Sequence, residues 1–461
     1  MIFSIDSIVT IEFIMNKVEK IDRRWRMMIK QFMKYAVPSA LAMFISSLYT
    51  VIDGIFVGQG VGDSALAAVN IVLPFTVMLF GLASMFAIGG GALVSKNVGA
   101  KDIDKAVNVF RQVFKFLLIV SIGISLVCVV FTEEIVTILG ATTNLKSLAV
   151  DYLRFYAMFC IPNLIGIVLN SFVRNDGRPK LAMVSTIAGA ITNIILDYIF
   201  IFELGMGIKG AAIATGLGQI VTVAILLPHF LNKKGNLTFG NVKLDKNLIK
   251  EFSLIGFPSF FAQASYSIIV LMYNITLVNY AGETGIAAYS IINYITTNIY
   301  MILYGITLGV QPLVSFNYGK KDKKKMLGFF KVTCISTIIV SSICLIIAYA
   351  FGPQLIAIFT QDPVISELAY NALRIMTLSY FAVGLNLNTL VYYQAIERPK
   401  YSNIICIFRS VVFLPIALTI LSTVFGVNGI WAAAIFSETS TFIVISLVSN
   451  VKKATNLVLS N

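Results

Sequence analysis

One histidine and two tryptophans in 461 residues, with only 12% of side chains charged, remove several classes of protein at once. A lone His229 cannot build a multi-histidine metal centre. Beside Pro228, at the end of an apolar run, it reads as an interfacial residue. The five cysteines (Cys128, Cys160, Cys334, Cys344, Cys406) show no CxxC spacing and fall in apolar stretches, where a thiol is a small packing group. No GxxxxGK[ST] loop is present, so ATP hydrolysis is not the drive on this chain. No metal cluster or nucleophile constellation points to an enzyme, and no cofactor is expected. Gly205-Met-Gly207-Ile-Lys-Gly210 has the GxGxxG form, but it lies in a turn between apolar runs with no strand before it, so a dinucleotide role fails on context.

What the chain has instead is apolar length. Hydrophobic residues make up 58% of it, too many for a fold that must keep a water-facing surface. The runs Ile71 to Leu93, Val113 to Phe131 and Val332 to Phe351 are each long enough to cross the roughly 30 Å hydrocarbon core as a helix, and too long for barrel strands. The net charge of +13 does not mark a nucleic-acid protein, because the basic residues sit in alternate loops. Residues 1–32 place an apolar stretch before Arg23, Arg24, Arg26 and Lys30, the reverse of a signal peptide, and read as a cytoplasmic or interfacial extension whose start could be Met15 or Met27.

Gly, Pro, Asn and Lys punctuation divides the rest into twelve helices. Six lie near 33–57, 65–95, 107–131, 149–172, 180–203 and 209–231, and six near 250–280, 285–317, 326–350, 366–395, 400–424 and 428–449. Lys96/Lys101/Lys105, Arg174/Arg178/Lys180, Lys233/Lys234/Lys243/Lys246, Lys320 to Lys325 and Arg398/Lys400 all fall on one side. That side is expected to be the cytoplasm, with both termini in it, in a multi-pass protein of the plasma membrane. Slid against itself, the chain repeats: Pro38-Ser39 returns as Pro258-Ser259, Gly62-Asp63 as Gly282-Glu283, and Arg178-Pro179-Lys180 as Arg398-Pro399-Lys400, each 220 residues on. Six spans per repeat is even, so the halves are related by an axis along the membrane normal. The expected fold is therefore all-α integral membrane, twelve transmembrane helices in two pseudo-symmetric six-helix lobes. The N-lobe runs over 33–231, a cytoplasmic linker over 232–249, the C-lobe over 250–450 and a tail over 451–461.

Pro38 leading to Asp53-Gly54 and Val57-Gly58, the Ala-Leu-Ala-Ala-Val run at 65–69, Asn193-Ile-Ile-Leu-Asp197 and Gly207-Ile-Lys-Gly-Ala-Ala212 together resemble the multidrug and toxic compound extrusion (MATE) family over about residues 33 to 450. The resemblance implies two six-helix lobes and export of lipophilic organic cations in exchange for protons or sodium.

Ionisable residues within a span cost about 2.5–3.5 kcal/mol each and ask for a reason. Asp53 lies 19 residues beyond Lys34 and Asp197 lies 17 beyond Lys180, which places them roughly 28 and 25 Å from the basic side at about 1.5 Å per residue. Asn193, one turn before Asp197, can hydrogen-bond the acid or share a cation with it. Desolvation favours the neutral form of a carboxyl, so such a group can load and release a proton; ionised, it would attract sodium. The resemblance implies the same positions, and by motif match it adds Tyr152, Asn170 and Thr215 as ion-coupling residues. Asp53 and Asp197 have Tyr273 and Ala417 at the repeat positions, and helices seven and ten carry Gln263, Tyr266, Asn386, Asn388 and Gln394 where some branches of the family keep acids. Coupling is expected to be asymmetric. Arg409 and Glu438, both near mid-membrane on consecutive helices, are expected to form a structural ion pair.

The substrate cavity is expected to draw on Met43, Met78, Met85, Gln263, Tyr289, Asn293 and Tyr300, since adaptable apolar walls with scattered polar groups suit varied lipophilic cations. The expected partners are such small molecules and the lipid bilayer, with the protein a monomer. The competing reading is a flippase for a lipid-linked oligosaccharide or lipid; a single deep arginine and two acids disfavour a pyrophosphate cargo. A channel suits the repeat and the buried acids less well than alternating access does.

Overall fold

The computed structural model describes the backbone of residues 5–448 and the side chains of residues 25–448. The tail expected at 451–461 lies outside the described residues. Within them there is no strand, and nine helices are long and apolar enough to cross a membrane; two bent pairs bring the number to eleven. One of the nine, Lys246–Gly319, is itself two spans. As a single rod its 74 residues would reach about 110 Å, and its backbone breaks at Gly282, where φ is 57° and ψ is −150°. The two parts fold back on each other: the Tyr273 ring stacks on Tyr289 at 4.9 Å, and the Tyr266 hydroxyl meets Asn293 Oδ1 and Thr297 Oγ1 at 3.2 Å.

The twelve spans are thus Trp25–Gly60 (the later part of the helix Ile5–Gly60), Asp63–Gly99, Ile103–Val130, Thr143–Met158 with Cys160–Asn175, Pro179–Glu203, Gly207–Leu231, 246–281, 283–319, Lys323–Ala357, Pro363–Thr377 with Tyr380–Ala395, Pro399–Phe425, and Val427–Val448. The first helix runs through the segment expected as a separate N-terminal extension. A short helix, Thr132–Ile138, precedes the fourth span and carries no apolar run long enough to announce itself.

The fourth and tenth helices bend by 53° and 47°. In the fourth, Pro162 lacks the N–H that would continue the ladder across the joint, and the Phe159 ring occupies space left by the absent side chain of Gly216. In the tenth, the Ser379 hydroxyl bonds the Met376 carbonyl at 2.7 Å and competes with the helix for it. The fifth and eleventh helices carry π-helical turns, Ile199–Glu203 just after Asp197 and Phe408–Val412 around Arg409. Such turns are often found at functional sites.

The repeat extends to details. Asp102 and Asp322, 220 apart, cap the third and ninth helices by accepting from Lys105 and Lys325 N–H at 3.1 Å. The linker, expected only to join the lobes, is strapped to the N-lobe. Arg111 donates to the Thr238 carbonyl at 3.0 Å, Phe239 packs on Phe114 at 4.8 Å, and Leu237 is fully buried. His229 is buried as well, not interfacial: its Nε2 meets Asp176 Oδ2 at 2.8 Å, while Asp176 also accepts from the Asn236 and Leu237 N–H groups. Proximity to a loop suggested water; the folded linker covers the ring instead.

The lobes share a core only towards the face that carries the basic loops. There Phe252 and Ile255 of the seventh helix join the N-lobe core, Phe32 and Ala36 join Val310 and Phe329, and Ile88 joins Leu303 and Tyr304. Towards the opposite face each lobe keeps its own core, Val57, Val72, Leu153 and Ile201 in one and Tyr273, Tyr289, Leu373 and Trp431 in the other. Backbones meet closely at the basic face. A side chain on Gly99 would overlap the Phe316 carbonyl oxygen, and one on Gly319 would overlap that of Lys96, a pair of contacts related by the 220-residue repeat. Side-chain contacts between the lobes extend from this face to Ser47 with Asn298 (2.6 Å) and Gln263 beside Gly81, near mid-membrane. The molecule is closed at the basic face and parted at the other.

Packed interiors respond to overfilling by moving whole elements. Gly99→Leu with Gly319→Leu is therefore expected to open the basic face and raise maleimide labelling of a cysteine placed at Asn317, buried here, by about tenfold. Unchanged labelling would show that the glycine contacts do not hold this closure.

Candidate functional site

Small residues place the site. The fifth and sixth helices approach at Gly189 and Gly218, where a side chain on Gly218 would come within 2.7 Å of the Gly189 carbonyl oxygen, and Thr222 Oγ1 donates to the Ser185 carbonyl at 3.2 Å. This brings Asn193 to Thr215, with Nδ2 donating to Oγ1 at 3.3 Å. At the parted end, Phe56 of the first helix packs edge-on against Phe202 at 5.6 Å and Tyr198 at 6.4 Å, fixing the first helix on the fifth. One turn inward from that aromatic clamp, Asp53 and Asp197 face each other, with Asn193 beside Asp197.

Asp197 is fully buried and Asp53 half-buried. Asp53 and Asp197 stand within hydrogen-bonding reach, but acceptor to acceptor: Asp53 Oδ1, both oxygens of Asp197 and Asn193 Oδ1 are buried with no protein donor bonded to them, so a bond between the carboxyls needs a shared proton. Four acceptor oxygens with no donor make a pocket of negative potential that a proton or a cation would satisfy. Tyr152 lies within electrostatic reach of both carboxyls, and so does Tyr49. Tyr156 stacks on Tyr152 at 6.1 Å and accepts from Asn163 Nδ2 at 2.6 Å across the bend of the fourth helix. Tyr49, Tyr156 and Asn163 were not among the expected residues. Tyr49 had a legible signal, since it is one turn before Asp53 on the same face.

Asn170 does not join this group. Its amide donates to the Ala182 carbonyl at 2.8 Å and to Thr186 Oγ1 at 3.0 Å, about 16 Å down the fifth helix from Asp197 at about 1.5 Å per residue. The bend in the fourth helix separates its two halves, so a residue there no longer points where a straight helix would put it. Asn170→Ala is expected to weaken helix packing by about 1 kcal/mol, read as a fall in thermal stability, while leaving ion-driven transport intact. Loss of coupling at unchanged stability would return Asn170 to the ion path.

In the C-lobe, Tyr273 stands where the N-lobe has Asp53 and stacks on Tyr289, which stacks on Trp431 at 6.4 Å. Tyr289 is therefore a core residue rather than a cavity wall, because the ring is enclosed between two aromatic faces. Arg409 and Glu438 meet at 2.6 Å; Asn386 Nδ2 donates to Glu438 Oε2 at 2.7 Å, and the Ser437 hydroxyl to the Arg409 carbonyl at 2.6 Å. Tyr300, beside Arg409, stacks on Tyr304 at 6.0 Å. Of the other residues expected at the cavity, Met43 packs where the lobes join, the Met85 carbonyl lies against Gly256, Gln263 lies beside Gly81, Asn293 holds the Tyr266 hydroxyl, and Met78 is half exposed. Arg174, grouped by sequence with the basic loops, is buried at the closed face near Tyr304; its contact is with Ser39 Oγ at 3.4 Å, and its Nε has no partner.

Two six-helix lobes related by a repeat, parted on one side and carrying a pair of carboxyls without a bonded donor in one lobe, define a multi-pass membrane transporter. The MatE family model matches residues 38–199 and again 258–419, the second match displaced by 220 from the first at both ends, and the chain belongs to that family. It is 29% identical over 413 residues to the multidrug export protein MepA of Staphylococcus saprophyticus, covering 89% of this chain and 91% of the relative. With MepA of Staphylococcus haemolyticus it shares 26% over 426 residues, 92% and 94% of the two chains. Among solved structures, a multidrug resistance MATE family transporter of the MOP superfamily in an outward-facing conformation superposes with a TM-score of 0.86 at 25% identity, over 93% of this chain and 96% of the other. A MOP superfamily transporter from Pyrococcus furiosus superposes with a TM-score of 0.87 at 24% identity, over the same shares, which speaks for the fold.

Proposed function

We propose that the chain is a secondary multidrug exporter that expels lipophilic organic cations in exchange for protons or sodium, with Asp53 and Asp197 as the coupling groups. The observation that carries the reading is the pair of facing carboxyls on the first and fifth helices, whose buried oxygens have no donor. Two carboxylates held together repel, so the site is satisfied when a proton or a sodium ion lies between them. The positive-inside bias puts the basic face in the cytoplasm, and both termini with it. The parted side is then external, where the coupling ion enters the N-lobe and drug leaves between the lobes. Asn193, Thr215, Tyr49 and Tyr152 supply the polar wall that holds a dehydrated ion or shields the protonated acid. The relatives named for multidrug export support the cargo class.

For one-to-one exchange of a proton with a monovalent cation the voltage terms cancel and the coupling ion's concentration gradient is the drive; a second proton taken by the other acid would add about 2.3 kcal/mol per 100 mV. Export of a fluorescent organic cation from proteoliposomes, under an imposed proton or sodium gradient, tests the reading. Flux under one gradient identifies the ion; flux under neither would overturn antiport and direct the search to lipid-linked cargo.

A further inference from the structure

We propose that Glu397 and Lys96 form a latch that holds the basic face closed, setting the balance between the two states of the transport cycle. The proposal rests on the alternating-access reading above. Lys96 ends the second helix of the N-lobe and Glu397 lies in the turn between the tenth and eleventh helices of the C-lobe. Their charged atoms meet at 2.6 Å, with side chains 32% and 17% exposed, so the pair crosses the lobe boundary in a place sheltered from water. The Lys96 ammonium also lies 5.6 Å from the Tyr318 ring, which belongs to the C-lobe.

The backbone under Glu397 adds an independent observation. Its φ is 57°, the left-handed region that a side chain occupies at a cost of about 1 kcal/mol or more. The repeat position in the N-lobe is Gly177, φ 87°, where that conformation is free of the cost. The two turns share the following Arg-Pro-Lys, so the same turn is built with glycine in one lobe and glutamate in the other. The glycine solution is available to this turn, and a carboxylate stands there instead. What the carboxylate gains is Lys96 of the other lobe, since among the described residues no C-lobe group bonds it: Glu397 Oε1 is buried without a partner, and Oε2 takes the lysine.

Electrostatics around the pair fit a contact that matters only when closed. Burial pushes the Glu397 carboxyl up from the usual carboxylate range, with Lys96 and, more weakly, Lys105 opposing and Glu251 adding to the rise. Separating the lobes would return both charges to water at little cost, so the pair weights the closed state without locking it. Arg174, buried beside Ser39 without a carboxylate among the described residues, weighs the other way, because opening this face would hydrate it.

Spin labels on cysteines at Thr142 and Gln361, both exposed at the parted end of opposite lobes, report the closure without any transport. Wild type is expected to show a dominant long distance by double electron–electron resonance. In Glu397→Gln and in Lys96→Gln, the ratio of long to short distances is expected to fall about fivefold, the factor that about 1 kcal/mol gives. The exchanged pair, Lys96→Glu with Glu397→Lys, is expected to recover most of it. Glu397→Gly removes strain and charge together; it should gain thermal stability while shifting the distances as the glutamine variant does. Distances in both single variants unchanged from wild type, or a shift that the exchanged pair fails to recover, would overturn the latch. A shift in the variants of a protein that exports nothing under either gradient would keep the latch and sink the transport reading.

Discussion

Asp197→Asn is expected to fold, bind drug and export nothing against a gradient. The side chain is fully buried in the centre of the site, so the amide keeps shape while removing the group that takes the ion. Coupling free energies of about 1–3 kcal/mol correspond to roughly 5- to 150-fold effects, and loss of the principal acid should lie at the upper end. Gradient-driven flux of a fluorescent cation should drop about a hundredfold, with drug affinity measured by equilibrium binding changed by less than about fivefold. Asp53→Asn should reduce flux less, because Asp53 is half-buried and Asp197 remains to take an ion. A fully active Asp197→Asn transporter would remove the N-lobe acids from the mechanism and leave the buried oxygens as a packing feature.

Glu438→Ala should be the most damaging single change to stability in the C-lobe. It strands Arg409 in the membrane interior and also takes away the acceptor that Asn386 uses. Removing one partner of a buried pair costs about 3–5 kcal/mol, because the remaining charge has neither water nor a counter-ion. The expected reading is a large fall in apparent melting temperature in detergent. Combining Glu438→Leu with Arg409→Met should restore much of the loss, since an apolar pair of similar volume avoids the desolvation of two charges. If the double variant is stable and still exports drug, the pair is structural. If it is stable and fails to export, Arg409 and Glu438 take part in the cycle.

The near coincidence of Asp53 with Asp197 was legible in part. Counting from Lys34 and Lys180 put both at similar depth, and Asn193 one turn before Asp197 marked a polar face. Depth alone does not give azimuth, and only the packing of Phe56 against Tyr198 and Phe202 turns the two carboxyls towards each other. Asn170 shows the reverse case: it was included by motif match to the resembled family, and beyond the 53° bend of the fourth helix its amide bonds Ala182 and Thr186 instead. Tyr289 was placed on a cavity wall by helical spacing, yet its face of the helix closes on Trp431. Glu397 drew no notice in the sequence, because a glutamate in a basic loop is ordinary until its backbone angle and its partner in the other lobe are known.

Membrane spans, the six-plus-six repeat and the side bearing the positive charge were determined by the sequence itself. Each depends on a one-dimensional quantity: the length of apolar runs against the thickness of lipid, identity at a fixed spacing, and charge counted in alternate loops. The 220-residue displacement is the same in the chain's own letters and in the two stretches matched by the family model. The facing of the two acids, the burial of Arg174 and His229, the clamping of the linker and the closure at the basic face were decided only by tertiary structure. These depend on which faces meet across distant parts of the chain, and that is settled by close packing of glycines and aromatic rings, which no local pattern records.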